Sequence, residues 1–437
     1  RDFTRGGIAV PAFDDYGHGT HIAGLIGSSG KLSNGEFQGI APNIHFVGLK
    51  VLDSTGAGKT SNVIAAIEFA IANRATMGIQ IINLSLGHPI FAKPADDPLV
   101  QAVEQASRAG LYVIVSAGNF GQGADGKVGY AGITSPANAH SALTVGATMT
   151  QGTTSRGDDV VAPYSSRGPT WYEGLAKPDF VAPGHALPSD AAIGSTLYNQ
   201  ALASGKVRKG DSLLILSGTS MSAAVASGVV ALVLEAHDLA GYHKQKPISP
   251  NLMKAILEFS AIRVAKADYL TQGTGEINAS GAIQMARAIN TGAASGSWWL
   301  ATGILPVTKI GNSTYVWAGN VLWGDNVLWG DSIFRNVAAW GQNVLWGENV
   351  VWGDNILWGE NVVWGDNILW GENVVWGDNL LGMTRGHNIL WGDNILWGEL
   401  SALNVVWGEI DANNILWGDN ILWGDNVVWG ELLHGLY

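Results

Sequence analysis

The stretch Leu216-Ser217-Gly218-Thr219-Ser220-Met221-Ser222, followed by an apolar run from Ala223 to Leu234, decides how the rest of the chain is read. A small polar Gly-Thr-Ser segment opens into residues at helical spacing, which predicts a buried helix beginning here with Ser220 at its mouth. Helix N-termini leave backbone N–H groups unpaired, and the helix dipole favours negative charge there. A serine so held can attack a carbonyl while its own N–H helps to hold the resulting oxyanion. The same residues also suit a serine that only caps the helix. The earlier part of the chain has to choose between the two.

From Ile40 to about Asn290 strands and helices alternate. Ile44–Val51, Ile79–Leu84 and Tyr112–Val115 read as buried strands, with helices expected over Ser61–Asn73 and Pro98–Ala109 between them. In the first helix Val63, Ile64, Ile67 and Ile71 form one stripe at core-facing spacing. This order predicts an α/β fold, a mostly parallel sheet with helices on both faces. Such sheets bind ligands beyond the carboxyl ends of their strands. Ser85-Leu86-Gly87 follows one expected strand and Ser116-Ala117-Gly118-Asn119 another, while His18 stands between two glycines at the start of an apolar helix. A lone histidine is usually structural. A base, a side-chain amide and a serine at element termini of one domain are what acyl transfer needs.

Gly17-His18-Gly19-Thr20-His21-Ile22-Ala23-Gly24, Ser116-Ala117-Gly118-Asn119 and Gly218-Thr219-Ser220-Met221, in that order, resemble the subtilisin-like serine proteases. So do Gly39-Ile40-Ala41-Pro42, Asn83-Leu84-Ser85-Leu86-Gly87, Tyr164-Ser165-Ser166-Arg167-Gly168-Pro169 and Lys177-Pro178-Asp179-Phe180-Val181-Ala182-Pro183-Gly184. The resemblance covers residues 10–290. It implies a subtilisin-like fold with Ser220 as nucleophile, His18 as general base and Asn119 as an oxyanion donor. Ser85, Leu86 and Gly87 would pair with substrate backbone and border the pocket before the scissile bond, with Ala117 and Gly118 beside them. His21 reads as structural, and Gly273–Asn278 resembles the family's closing turn, so the domain is expected to end near Asn290.

Two departures stand out. Ala223-Ala224-Val225 replaces the family's usual proline and histidine after Ser-Met, at positions that only pack. The larger departure is the acid, which the family carries on a first strand well ahead of the histidine. Only 17 residues precede His18, and Asp2, Asp14 and Asp15 lie in no such strand, the last two being too close to His18 to reach its far nitrogen. Losing the orienting acid costs about 10⁴ in turnover in triads of this kind. Either an N-terminal segment, cleaved off or left out of this sequence, supplies the aspartate, as the start at Arg1 without an initiator methionine suggests, or the chain is an inactive scaffold.

Composition narrows the classes. The absence of cysteine excludes disulfides and thiolate metal sites and suits an exported bacterial protein, secreted or at the cell surface. No apolar run is expected to span a membrane. Residues 320–437 hold nine Asp and six Glu against two Arg, a net of −13 out of a whole-chain −12, so nucleic acid is excluded as a partner of the tail. Gly56-Ala57-Gly58-Lys59-Thr60 imitates a phosphate loop, but Asp53 stands where that motif needs its first glycine. The resemblance brings calcium as an accompanying ion; no metal site can be placed from the residues.

Residues 291–319, with Trp298, Trp299 and Pro306, read as a linker. From Asn320 to Glu431 the unit Asn-apolar-apolar-Trp-Gly-Asp/Glu recurs, with fifteen Trp-Gly pairs from Trp323 to Trp429, and residues 432–437 form a short tail. Between Glu348 and Asp378 the units alternate, so the true period there is twelve. A period of six fits no helical stripe, and its β-branched and aromatic residues with Gly-Asp-Asn turns favour strands. An all-β region follows, either a two-faced β-solenoid or stacked hairpins, stabilised by stacking of neighbours. Its open ends can pair with another copy, making homo-oligomers or filaments an expected outcome.

The whole reads as an exported serine endopeptidase acting on protein or peptide substrates and tethered to a repeat module for attachment or assembly. The alternative is a structural or surface filament protein built on a protease-like domain with weak or no catalysis.

Overall fold

A computed structural model describes residues 1–323, apart from 124, 242–245, 295–296 and 298, and beyond them short strands of the repeat array. Two compact units result, one of them holding Arg1–Ala318.

In the first unit, β1 (Ile81–Leu84), β2 (Tyr112–Ser116), β3 (Leu143–Met149) and β5 (Phe180–Pro183) run parallel, each paired with the next, and the short β4 (Val160–Val161) adds antiparallel to β3. The sheet is thus α/β and mainly parallel. β2 is buried along its whole length, which is why Tyr112-Val113-Ile114-Val115 is a continuous β-branched and aromatic run rather than an alternating one. Helices α2 (Thr60–Met77) and α3 (Pro98–Arg108) pack together, and α1 (His18–Gly27) and α8 (Ala279–Ala288) flank α5 (Thr219–Ala240). α3 starts cleanly because Asp97 accepts from the N–H groups of Leu99 and Val100 with Pro98 at the first turn. The core between the layers is built from Val63, Ile67, Leu99, Val103, Val113 and Val115.

α5 is central. It contacts β1, β2, β3 and β5 as well as α1 and α8. By length and apolarity alone it could cross a membrane, contrary to the expectation that no segment is apolar enough; its residues are instead mostly buried inside the fold. Met221 and Ala224 of α5 pack on Ile22 and Ile26 of α1, which fixes the two helix N-termini relative to each other.

Two expectations differ from what is observed. Ile44–Val51 forms no strand: Lys50 alone bridges, to Asp2, and Phe46 is 51% exposed. A β-branched run becomes a strand only when a neighbour completes its ladder, and here Arg1–Phe3 supplies a partner on one side only. The second is the stretch read as a linker. It carries a hairpin, β8 (Val307–Ile310) with β9 (Ser313–Val316), and Trp299 and Trp317 are both buried. Trp317 Nε1 and Asn278 Nδ2 both donate to Thr308 Oγ1 at 2.8 Å, and Ala318 N donates to Ala261 O at 2.7 Å. Apolar burial of two indoles outweighs the apparent linker composition, so the first unit runs past Asn290 to Ala318.

The closing turn is tied down through Glu276 and Arg156. Glu276 accepts from Thr148 Oγ1 at 2.6 Å and pairs with Arg156 at 2.7 Å, while Arg156 N donates to Tyr315 of the hairpin at 3.0 Å.

In the second unit the repeat strands pair in separate sheets. β12 (Asn349–Trp352), β14 (Asn361–Trp364), β16 (Asn373–Trp376) and β18 (Asn394–Trp397) pair parallel in one sheet. The alternate units β13 (Asn355–Trp358), β15 (Asn367–Trp370), β17 (Ile389–Trp391) and β19 (Val405–Trp407) pair parallel in another. β10 (Asn320–Trp323) and β11 (Asn326–Trp329) form an antiparallel hairpin at its start. The repeat interruptions at 332–339, 380–387, 400–403 and 410–413 and the tail at 432–437 lie outside the described residues.

Burial raises the Glu276 pKa from 4.5 to about 7, against the pull of Arg156 and with help from nearby Asp159. A raised folded pKa contributes stability below about pH 4.5 that is lost as pH rises through about 7. Thermal melts of Glu276→Gln should therefore depend less on pH between 4.5 and 7 than those of the parent; an unchanged pH dependence would show that Glu276 does not titrate there.

Candidate active site

Ser220 lies in the first turn of α5, and the turn is fixed before the helix begins. Gly218 N donates to Gly184 O at 2.8 Å, tying it to the segment that follows β5. Thr219, buried at the helix start, does more: its N–H and its hydroxyl both donate to Asn119 Oδ1, at 3.0 and 3.1 Å, and its hydroxyl also meets Gly118 N and O at 3.2 Å. With Oδ1 occupied, the Asn119 amide nitrogen is left to donate, and it lies beside Gly218, where an added Cβ would be 3.5 Å from it. Ser220 itself is joined to the end of β1 in both directions. Ser85 Oγ donates to Ser220 O at 2.9 Å, and Ser220 Oγ to Ser85 O at 3.4 Å. Ser85, Ala117, Gly118, Asn119 and Ser220 are therefore brought together beyond the carboxyl ends of β1 and β2.

The glycines here are dictated by neighbours. A Cβ on Gly87 would come within 2.8 Å of Ser135 O and Thr134 Oγ1, and one on Gly118 within 2.8 Å of Ser166 Oγ and Thr134 Cγ2. Thr134 is thus wedged between the two walls. Gly118 also has φ +109°, a conformation that side chains resist.

His18 is the first residue of α1, after Gly17 with φ +103°. Asp14, too near His18 to serve as its acid, does different work. Its carboxylate accepts from Gly17 N, Thr20 N and Thr20 Oγ1 at 2.7 to 2.8 Å, so both oxygens are committed to holding the N-terminus of α1. An aspartate followed six residues later by threonine, around a Gly-His-Gly turn, was the available signal. Burial depresses the His18 pKa, and the negative charge of Asp14 opposes that without reversing it. The imidazole is accordingly neutral at pH 7, the form a general base needs. Among the described residues no hydrogen bond joins His18 to Ser220 or to any carboxylate.

His21 is fully buried with Nε2 at 3.1 Å from Leu187 O and 3.0 Å from Leu214 O. Both partners are acceptors, so Nε2 carries the proton, and burial lowers the pKa to about 4. This ring pins α1 to the hairpin β6 (Leu187–Asp190) and β7 (Leu213–Leu216). The segment between those strands, with α4 (Thr196–Ala203), reaches back over the turn before His18: Thr196 N donates to Asp15 O at 3.0 Å and Leu197 N to Tyr16 O at 2.9 Å. Sequence analysis gave this insertion no role. The phosphate-loop imitation at Gly56–Thr60 is filled by its own chain, since Asp53 Oδ1 accepts from Thr55 N, Thr55 Oγ1 and Ala57 N. No cluster of three or more potential metal ligands occurs among the described residues.

Asn119→Ala should lower turnover of an assembled site by about 10²–10³ with little change in apparent substrate affinity. It should also free the Thr219 N–H, so a melting temperature measured beside the kinetics separates lost oxyanion stabilisation from lost structure; unaltered turnover would remove Asn119 from the site.

The chain is 36% identical over 277 residues to the serine protease AprX of Bacillus subtilis (strain 168), a match spanning 62% of this chain and 58% of that protein. It is 30% identical over 272 residues to subtilisin DY of Bacillus licheniformis, spanning 62% of this chain and 79% of the relative. Among solved structures, sphericase matches with a TM-score of 0.48 and 25% identity over 63% of this chain and 83% of its own. The family model described as the Subtilase family matches residues 10–286, and the chain belongs to that family.

Proposed function

We propose that this protein is an exported serine endopeptidase in which Ser220 attacks a peptide carbonyl, His18 takes its proton, and the Asn119 amide with the Ser220 N–H stabilises the oxyanion. The imidazolium so formed then protonates the leaving amine, and water, activated by the same histidine once neutral again, releases the acyl group. The observation that carries this reading is the clasp of Thr219 on Asn119 and Gly118, which leaves the amide donor and the serine on one side of the α5 N-terminus. The cysteine-free composition supports export.

The acid belongs to an N-terminal segment of the precursor, retained as an added strand. Two unpaired backbone edges support this. β1 pairs with β2 alone, and its Ile81, Ile82 and Asn83 are only half-buried, unlike the fully buried β2. Ile44–Leu49 carries no ladder, although Ile44 and Phe46 abut Gly27 of α1 and Val51 packs on the same core as Ile82. A strand beside β1 satisfies both edges, and its end near His18 provides the carboxylate. The Trp-Gly array, whose alternate units pair at twelve-residue register, serves as a two-faced solenoid for attachment or assembly.

Labelling by a fluorophosphonate probe tests the enzyme reading. Ser220 should label in material that retains the N-terminal segment and weakly, by a factor of about 10⁴, without it; Ser220→Ala should abolish it. Absence of labelling with the segment bound would leave the structural reading, for which ordered polymers under the electron microscope are the expected sign.

A further inference from the structure

The insertion between β6 and β7, residues 191–212, takes no part in the chemistry proposed above, yet it is built with a core of its own. Tyr198 is 2% exposed and packs with Ala191, Ala201 and Leu214. Its hydroxyl donates to Arg208 O at 3.0 Å and accepts from Gly210 N at 2.7 Å, which folds the tip of the insertion back on α4. Leu216 packs on this small core and also on the cluster of Ile22, Ile26, Met221 and Ala224 that joins α1 to α5. The insertion is therefore rooted in the segment that leads, four residues later, to Ser220.

The start of α4 faces the turn that carries His18. Ser195 caps the helix by accepting from Tyr198 N, which leaves the N–H groups of Thr196 and Leu197 without partners inside it. Both donate to the turn instead, Thr196 N to Asp15 O at 3.0 Å and Leu197 N to Tyr16 O at 2.9 Å. Thr196 Oγ1 reaches on to Ser54 O at 2.7 Å. Ser195 is buried against Gly17, where an added Cβ would overlap its hydroxyl. Tyr16 is met in turn by Gly56, at φ +79°, where an added Cβ would come within 2.5 Å of the tyrosine ring. Lys50 holds the Asp15 carboxylate at 2.5 Å while donating to Leu52 O at 2.6 Å. The imitation phosphate loop thus has a reason in packing, since its first glycine makes room for a side chain two residues before His18.

We infer that the insertion is a strut that sets His18 against Ser220, with Thr196 as its positioning residue. One end is rooted through Leu216 beside the segment that carries the serine. The other is clamped by Thr196 and Leu197 on the turn that carries the histidine. The strut acts on where the ring stands, because among the described residues the insertion makes no hydrogen bond to the imidazole. This rests on Ser220 and His18 being nucleophile and base, so the test has one readout that needs turnover and one that does not.

Thr196 is the first residue of α4, where a helix accepts proline, and Ser195 at φ −68° and ψ 167° has the extended backbone that a following proline requires. Thr196→Pro therefore deletes the N–H to Asp15 and the hydroxyl to Ser54 while α4 persists. Thr196→Val deletes the hydroxyl alone, and Thr196→Ser keeps both groups. In protein that retains its N-terminal segment, kcat on a fluorogenic peptide should fall by about 10- to 100-fold in Thr196→Pro with KM within about twofold. It should fall by a few-fold in Thr196→Val and hold its parental value in Thr196→Ser. By NMR, the His18 imidazole signals should shift in Thr196→Pro and, less far, in Thr196→Val. Those of His21, held by Leu187 and Leu214 of the same hairpin, should stay in place and report that β6 and β7 are intact. Unmoved His18 signals in both Thr196→Pro and Thr196→Val overturn the strut, as does a loss in Thr196→Ser equal to that in Thr196→Pro. If Thr196→Pro does not fold, Thr196→Val decides alone by the same signals. A parent protein that turns over no peptide, with His18 signals that still move in the variants, overturns the proposed catalysis and leaves the strut standing.

Discussion

The structure of the cleft depends on one buried hydroxyl and its neighbouring N–H. Thr219 joins the N-terminus of α5 to the loop after β2, through Asn119 Oδ1 and Gly118, while the reciprocal bonds of Ser85 and Ser220 join it to the loop after β1. Three chain segments distant in sequence are thereby fixed within hydrogen-bonding range of one another. Each bond contributes only about 1 kcal/mol, but leaving these buried donors unpaired would cost more. Ser220 is thus held by residues beside it in sequence and in space.

His18 is held differently. α1 takes its orientation from Asp14 at its start, His21 along one face and Met221 on another, and none of these touches the His18 imidazole by a hydrogen bond. Among the described residues the ring at the helix start has no hydrogen-bond partner. The edge of β1 away from β2 is likewise unpaired among the described residues, and Ile44–Leu49 carries no ladder. On the function proposed above, one added strand bears on both stability and catalysis, since the ladder it completes also sets where its last carboxylate stands.

Much of this was legible from residues. The helix at Thr219–Ala240 and the loops after β1 and β2 were expected from periodicity and small-residue punctuation, because those signals are local. Ile44–Val51 misled for a physical reason. Its apolar run describes a strand within a complete sheet, and a sequence pattern does not register whether the neighbour is present. The stretch 291–319 misled in the opposite sense: Ser, Gly and Pro suggest a linker, but Trp299 is buried and Trp317 packs against Gly281 of α8 while donating to Thr308, contacts that only the fold brings near. Asp14 was judged by its distance to the far ring nitrogen, when its role is to satisfy the helix N-terminus.

His18 is half-buried and neutral, and among the described residues no carboxylate is hydrogen-bonded to it; on the function proposed above, an added strand supplies one. The His18 pKa measured by NMR of the imidazole, in this chain alone and with the N-terminal segment bound, tests that most directly. The chain alone should give a value below 6.5, because burial outweighs the charge of Asp14, and the bound segment should raise it. A value above 6.5 in the chain alone, unmoved by the segment, would contradict the account.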